Sequence, residues 1–119
     1  MLWWSADDSA LASTARAAIG DPTHEIFVSA ASAWEIATKF RLGKLSDAEI
    51  LALDITSAIA NQGFQELPIT IAHAQRAGGL PGPIRDPFDR ILIAQSILEA
   101  MSLISNEAAF DRYGIARLW

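Results

Sequence analysis

The strongest constraint on this chain is the run Ile91-Leu92-Ile93-Ala94-Gln95-Ser96-Ile97-Leu98-Glu99-Ala100-Met101, helix-forming and apolar nearly all round. A helix without a broad polar face has to be wrapped by other elements, so it is expected in the interior of the fold. Its start is marked. Asp86 is a good N-cap, Pro87 suits the first helical position and Asp89 falls at the third. The positive end of the helix is expected to hold both acids ionised at low cost. The same spacing resembles a capping box, which satisfies backbone N–H groups and does no chemistry, so Asp86 reads both as a cap and as a supporting ligand.

The elements available to wrap that helix are short. Residues 25–29 and 64–68 read as strands, the first β-branched and aromatic, the second alternating and closed by Pro68; 102–105 and 115–119 read as two more. Helices are expected over 1–19 with a break near 5–8, from Ser29 or Ser32 to Leu42 with Gly43 as the stop, over 47–60, and over 71–77. Gly78-Gly79-Leu80-Pro81-Gly82-Pro83 is strongly loop-like and leads straight into the acidic helix, and 106–110 turns into a short helix. Strands alternating with helices imply an α/β fold with a parallel sheet covered on both faces.

At 119 residues the chain is expected to form one domain. It has no cysteine, which excludes disulfides and thiolate metal sites, and two histidines, His24 and His73, are too few for zinc without carboxylate help. No apolar run approaches the ~20 residues of a membrane span, and Met1-Leu2-Trp3-Trp4 lacks the basic flank of a signal peptide, so no membrane association and a cytoplasmic location are expected. A net charge of −5 argues against broad nucleic-acid binding. Cations are nevertheless placed locally: Lys39, Arg41 and Lys44 follow Glu35, and Arg85 and Arg90 bracket the acidic pair. Trp3 and Trp4 are candidates for stacking on a base or a partner, although a core role is commoner for such residues.

Parallel sheets place ligands at the carboxyl ends of their strands. Glu35 follows the first strand, Glu107 the third, and Asp89 opens the helix after the second, so three acids are expected on one rim. Like charges brought together need a cation between them. Oxygen ligands alone select a hard ion, Mg²⁺ or Mn²⁺. The chemistry this suggests is metal-assisted phosphodiester hydrolysis, with Glu35, Asp89 and Glu107 as catalytic and metal-binding acids and Asp86, Ser105 and Arg90 in support. Acids after strands also serve as caps, and Glu35 with Lys39 is equally an ordinary helical pair four residues apart.

These stretches also carry a family resemblance. Val28-Ser29-Ala30-Ala31-Ser32-Ala33-Trp34-Glu35-Ile36 with Leu42-Gly43-Lys44-Leu45, then Asp86-Pro87-Phe88-Asp89-Arg90-Ile91-Leu92-Ile93-Ala94-Gln95, then Leu103-Ile104-Ser105-Asn106-Glu107-Ala108-Ala109-Phe110, and finally the stretch from Tyr113-Gly114 to Leu118-Trp119, resemble PIN-domain ribonucleases of the VapC toxin type. The resemblance implies a PIN-like three-layer fold, with a short parallel sheet flanked by helices. It implies a Mg²⁺-dependent endoribonuclease toxin acting on RNA, dimerisation, and a small antitoxin that covers the acidic pocket. Glu35 and Asp89 match metal-holding acids of the family. Ser105 and Glu107 stand where a threonine and an aspartate are usual, and the longer acid shifts its carboxylate by about an ångström, which can cost activity. Family members open with a strand bearing the first catalytic aspartate. This chain begins at Met1 within the following helix, and neither Asp7 nor Asp8 substitutes, so a single PIN-like domain over 1–119 with its first central strand missing is expected. Three readings of that gap stand side by side: the polypeptide starts upstream, the toxin is decayed and its activity impaired, or another chain supplies the strand. The alternative is an inactive PIN-like module that binds an antitoxin or partner subunit.

Overall fold

The computed structural model describes residues 17, 19–21, 23–43, 54–105 and 107–119. The expected helix over 1–19 with Trp3 and Trp4, and the first half of the one expected over 47–60, fall largely outside the described residues, as does Lys44.

The elements run β1 (Phe27–Ser29), α1 (Ala30–Arg41), α2 (Ile55–Asn61), β2 (Gln65–Leu67), α3 (Ile71–Gly79), α4 (Pro87–Glu99), β3 (Leu103–Ile104), a 3₁₀ turn (Ala108–Tyr113) and β4 (Arg117–Leu118). Each helix starts where a side chain can satisfy its free N–H groups. Ser29 ends β1 and caps α1 by accepting from Ala31 N, Asp54 caps α2, and Asp86 caps α4 with Pro87 in its first turn. Thr70 and His73 cap α3 reciprocally: Thr70 Oγ1 accepts from His73 N, and His73 Nδ1 accepts from Thr70 N. That bond requires the ring proton on Nε2, which faces Glu99 Oε1 at 2.9 Å.

Two differences from the expected boundaries have local causes. Helix α3 continues through Gly78 and Gly79, so the loop begins at Leu80; an apolar face packed on α4 outweighs the low helix propensity of glycine. Helix α4 stops at Glu99 because Ala100 adopts a left-handed conformation, φ +53°, that turns the chain into β3.

The strands pair in parallel, β1 with β2 (Phe27 opposite Gln65) and β3 with β4 (Leu103 opposite Arg117). A cavity of about 340 Å³ between the two pairs is lined by Ile26 and Phe27 on one side and Ile104 and Leu118 on the other; none of the candidate acids faces it. Around α4, Leu92 and Ile93 pack with Ala31, Leu67, Leu103 and Phe110 in one cluster, and Ile26, Val28, Ile59 and Ile104 form a second. Residues 92–96 are all buried, as an all-round apolar helix requires. Among the described residues no helix is long and apolar enough to cross a membrane.

Candidate metal centre

The packing of α1 on α4 creates the site. Glu35 lies on the second turn of α1, Asp86 is the cap of α4 and Asp89 its third residue. One carboxylate oxygen from each of Glu35, Asp86 and Asp89 lies within 4.8 Å of the others. Two oxygens on one ion can be no further apart than twice the metal–oxygen distance, about 4 Å for Mg²⁺ and about 5 Å for Ca²⁺. Small side-chain movements therefore close the three around a hard cation, and the all-oxygen donor set suits one. Asp86 Oδ1 accepts from Asp89 N at 3.1 Å. The carboxylate has a second oxygen, so capping the helix and facing the other acids are compatible.

Asp89 carries the electrostatic mark of the cluster. Burial, followed by the like charges of Asp86, Glu35 and Glu107, pushes its carboxyl from the ordinary 3.8 up to about 6, with Lys39 pulling the other way. The positive end of α4 therefore does not hold Asp89 ionised at low cost as expected; burial and crowding outweigh the helix end.

Glu107 is not one of the three grouped acids. Its Oε1 caps the 3₁₀ turn by accepting from Ala109 N at 3.3 Å, while its charge still bears on Asp89. Ser105 is buried, and its Oγ accepts from Glu107 N at 3.0 Å, so it orients the backbone of Glu107. Arg90 turns away from the acids. Its guanidinium donates to three carbonyls, Ala77 O at 2.9 Å, Leu80 O at 2.6 Å and Ile84 O at 2.8 Å, and ties down the loop before Asp86. Lys39 Nζ stands 3.3 Å from Glu35 Oε1. One turn before Glu35, the buried Ser32 Oγ has no hydrogen-bond partner, the kind of atom that a bound water satisfies.

Beside the acids stands an aromatic pair that the pattern of carboxylates does not announce. Trp34 and Phe88 meet edge to face, with ring centroids 4.9 Å apart and an interplanar angle of 84°. Each precedes a clustered acid, Glu35 and Asp89, and that shared offset was the available signal.

A family model described as PIN domain matches residues 1–116. The chain belongs to the PIN domain family. Its α/β architecture, with short parallel strand pairs and helices, agrees with a PIN fold. Ribonuclease VapC16 of Mycobacterium tuberculosis (strain ATCC 25618 / H37Rv) is 41% identical to this PIN domain over 68 residues, 56% of the chain and 48% of the relative. The match thus spans about half the length of that curated relative. No solved structure gives a significant match.

Proposed function

We propose that this PIN domain is a VapC-type endoribonuclease toxin that hydrolyses RNA phosphodiester bonds with Mg²⁺ or Mn²⁺. The observation that carries the proposal is the convergence of Glu35, Asp86 and Asp89, with Asp89 crowded enough to titrate near 6. The family membership and the ribonuclease relative support it. A hard divalent ion, when bound, neutralises the scissile phosphate and polarises the attacking water. Glu35, Asp86 and Asp89 would hold it. Glu107, whose charge reaches Asp89, supplies a further acid at the same rim, with its backbone held by Ser105. Lys39, held beside Glu35, balances charge where a phosphate enters. The resemblance adds a small antitoxin over the acidic pocket and a homodimer.

Incubation of a single-stranded RNA with the chain and Mn²⁺ tests the reading. Cleavage is expected, abolished by chelation and by Asp89→Asn. Intact RNA across a range of sequences would overturn it. A second reading, an inactive module that only binds an antitoxin or partner subunit, draws on one observation: Glu107 is occupied in capping Ala109 and stands outside the group of three.

A further inference from the structure

We propose that Trp34 is a stacking platform for an unpaired nucleobase next to the phosphate being cut. The inference rests on the ribonuclease reading and adds to it how an acidic protein grips its substrate.

With a net charge of −5 and a carboxylate-lined site, the chain lacks the general electrostatic attraction that supplies most nucleic-acid affinity. Local contacts indifferent to charge must make up the difference. Base stacking on an aromatic ring is such a contact, and it tolerates any base because every base has a π-face. Among the large apolar residues described as exposed, Trp34 is the aromatic one, with 64% of its surface open to solvent. An indole left that open on a packed helix forgoes considerable burial.

Trp34 is also held in place. Phe88 meets it edge to face, so the ring is oriented before any ligand arrives. The same two helices bring Trp34 to Phe88 and Glu35 to Asp89, one residue further along each helix. The ring pair and the acid cluster are therefore neighbours on one seam, as a base and its flanking phosphate are neighbours on one strand. A docked protein helix would need a continuous apolar patch. The stripe of α1 beyond Trp34 runs instead through Thr38 and the exposed Arg41 before it reaches Leu42. A hydroxyl and a guanidinium suit a nucleic-acid backbone better than an apolar helix face.

The test measures anisotropy of a fluorescein-labelled single-stranded RNA with Ca²⁺, and cleavage kinetics with Mn²⁺. Trp34→Ala is expected to weaken binding roughly tenfold and to raise KM with kcat largely kept, while Trp34→Tyr restores most of the affinity. An abasic site at one position of the RNA should produce the same loss on the unaltered chain and no further loss on Trp34→Ala. If the unaltered chain cleaves RNA but Trp34→Ala binds and cuts equally well, or the two losses simply add, the stacking role falls and the ribonuclease reading stands. If Trp34→Ala loses only a protein partner, the patch is a protein contact and the proposal is wrong. If the unaltered chain neither binds nor cuts RNA, both fall together.

Discussion

Ser29 Oγ donates to Gln95 Oε1 at 2.6 Å across 66 residues of sequence, with both side chains fully buried. Ser29 is the cap of the helix that carries Glu35, and Gln95 sits two turns into the helix that begins with Asp86 and Asp89. Gln95 Nε2 also donates to Pro68 O at 3.2 Å, at the end of β2. One amide thus fastens β1, α1 and β2 to α4, and it sets the registry in which the acids meet. Ser29→Ala and Gln95→Ala are each expected to cost about 1–3 kcal/mol in denaturant unfolding, since each orphans a buried partner. In the double variant the losses should be clearly less than additive. Full additivity would mean the two residues act separately.

Asp89 sets a pH dependence whose sign is defined. Its carboxyl titrates near 3.8 when unfolded and about 6 when folded, so the folded state binds the proton more tightly. Its contribution to stability is complete below about 3.8 and lost as pH rises through 6. Asp89→Asn, which mimics the protonated acid, should make the metal-free protein more stable than the unaltered one at pH 7, with the gap closing towards pH 4. Mn²⁺ should raise Tm of the unaltered chain at pH 7.5 and much less at pH 5, where protons compete, and should not raise that of Asp89→Asn. Thermal melts at three pH values decide it, and a less stable Asp89→Asn at pH 7 would count against the crowding of acids.

Asp86 and Glu107 can be ranked against each other. Asn caps helices as well as Asp does, so Asp86→Asn should keep the unfolding free energy within about 0.5 kcal/mol of the unaltered protein's while weakening Mn²⁺ binding by about tenfold or more. Glu107→Gln, outside the group of three, should weaken Mn²⁺ binding less. Isothermal titration calorimetry measures both, and the reverse order would move the metal towards Glu107.

Arg90 holds three carbonyls with one planar fork, which an ammonium cannot reproduce. Arg90→Lys is expected to cost about 2–4 kcal/mol in chemical denaturation and to loosen the loop that delivers Asp86, lowering Mn²⁺ affinity as a secondary effect. Unchanged stability would show that water satisfies those carbonyls equally well.

Gly82 lies at φ +96°, and a Cβ there would sit 2.7 Å from Tyr113 Oη, which accepts from Ile84 N at 3.1 Å. Gly82→Ala should therefore destabilise by about 1–3 kcal/mol through backbone strain and clash together. Adding Tyr113→Phe removes the clashing oxygen and should recover part of that loss while the strain persists; equilibrium unfolding of the single and double variants separates the two.

Local chemistry made much of this protein legible without coordinates. The caps at Ser29 and Asp86, the proline at the head of α4, and the burial of residues 92–96 follow from side chains acting on their own backbone or from a helix lacking a polar face. These are short-range rules, and the sequence states them directly. The membership of the acid cluster was decided elsewhere. Glu35 reaches Asp86 and Asp89 because Gln95 and the core around Leu92 and Ile93 fix how α1 lies against α4, while Glu107 is drawn off to cap Ala109. The same packing buries Asp89 enough to overcome the helix end that favours its charge, and it turns Arg90 from the acids to the loop carbonyls. Spacing along a chain says which groups are available; distances and burial between segments far apart in sequence are set only when the interior closes.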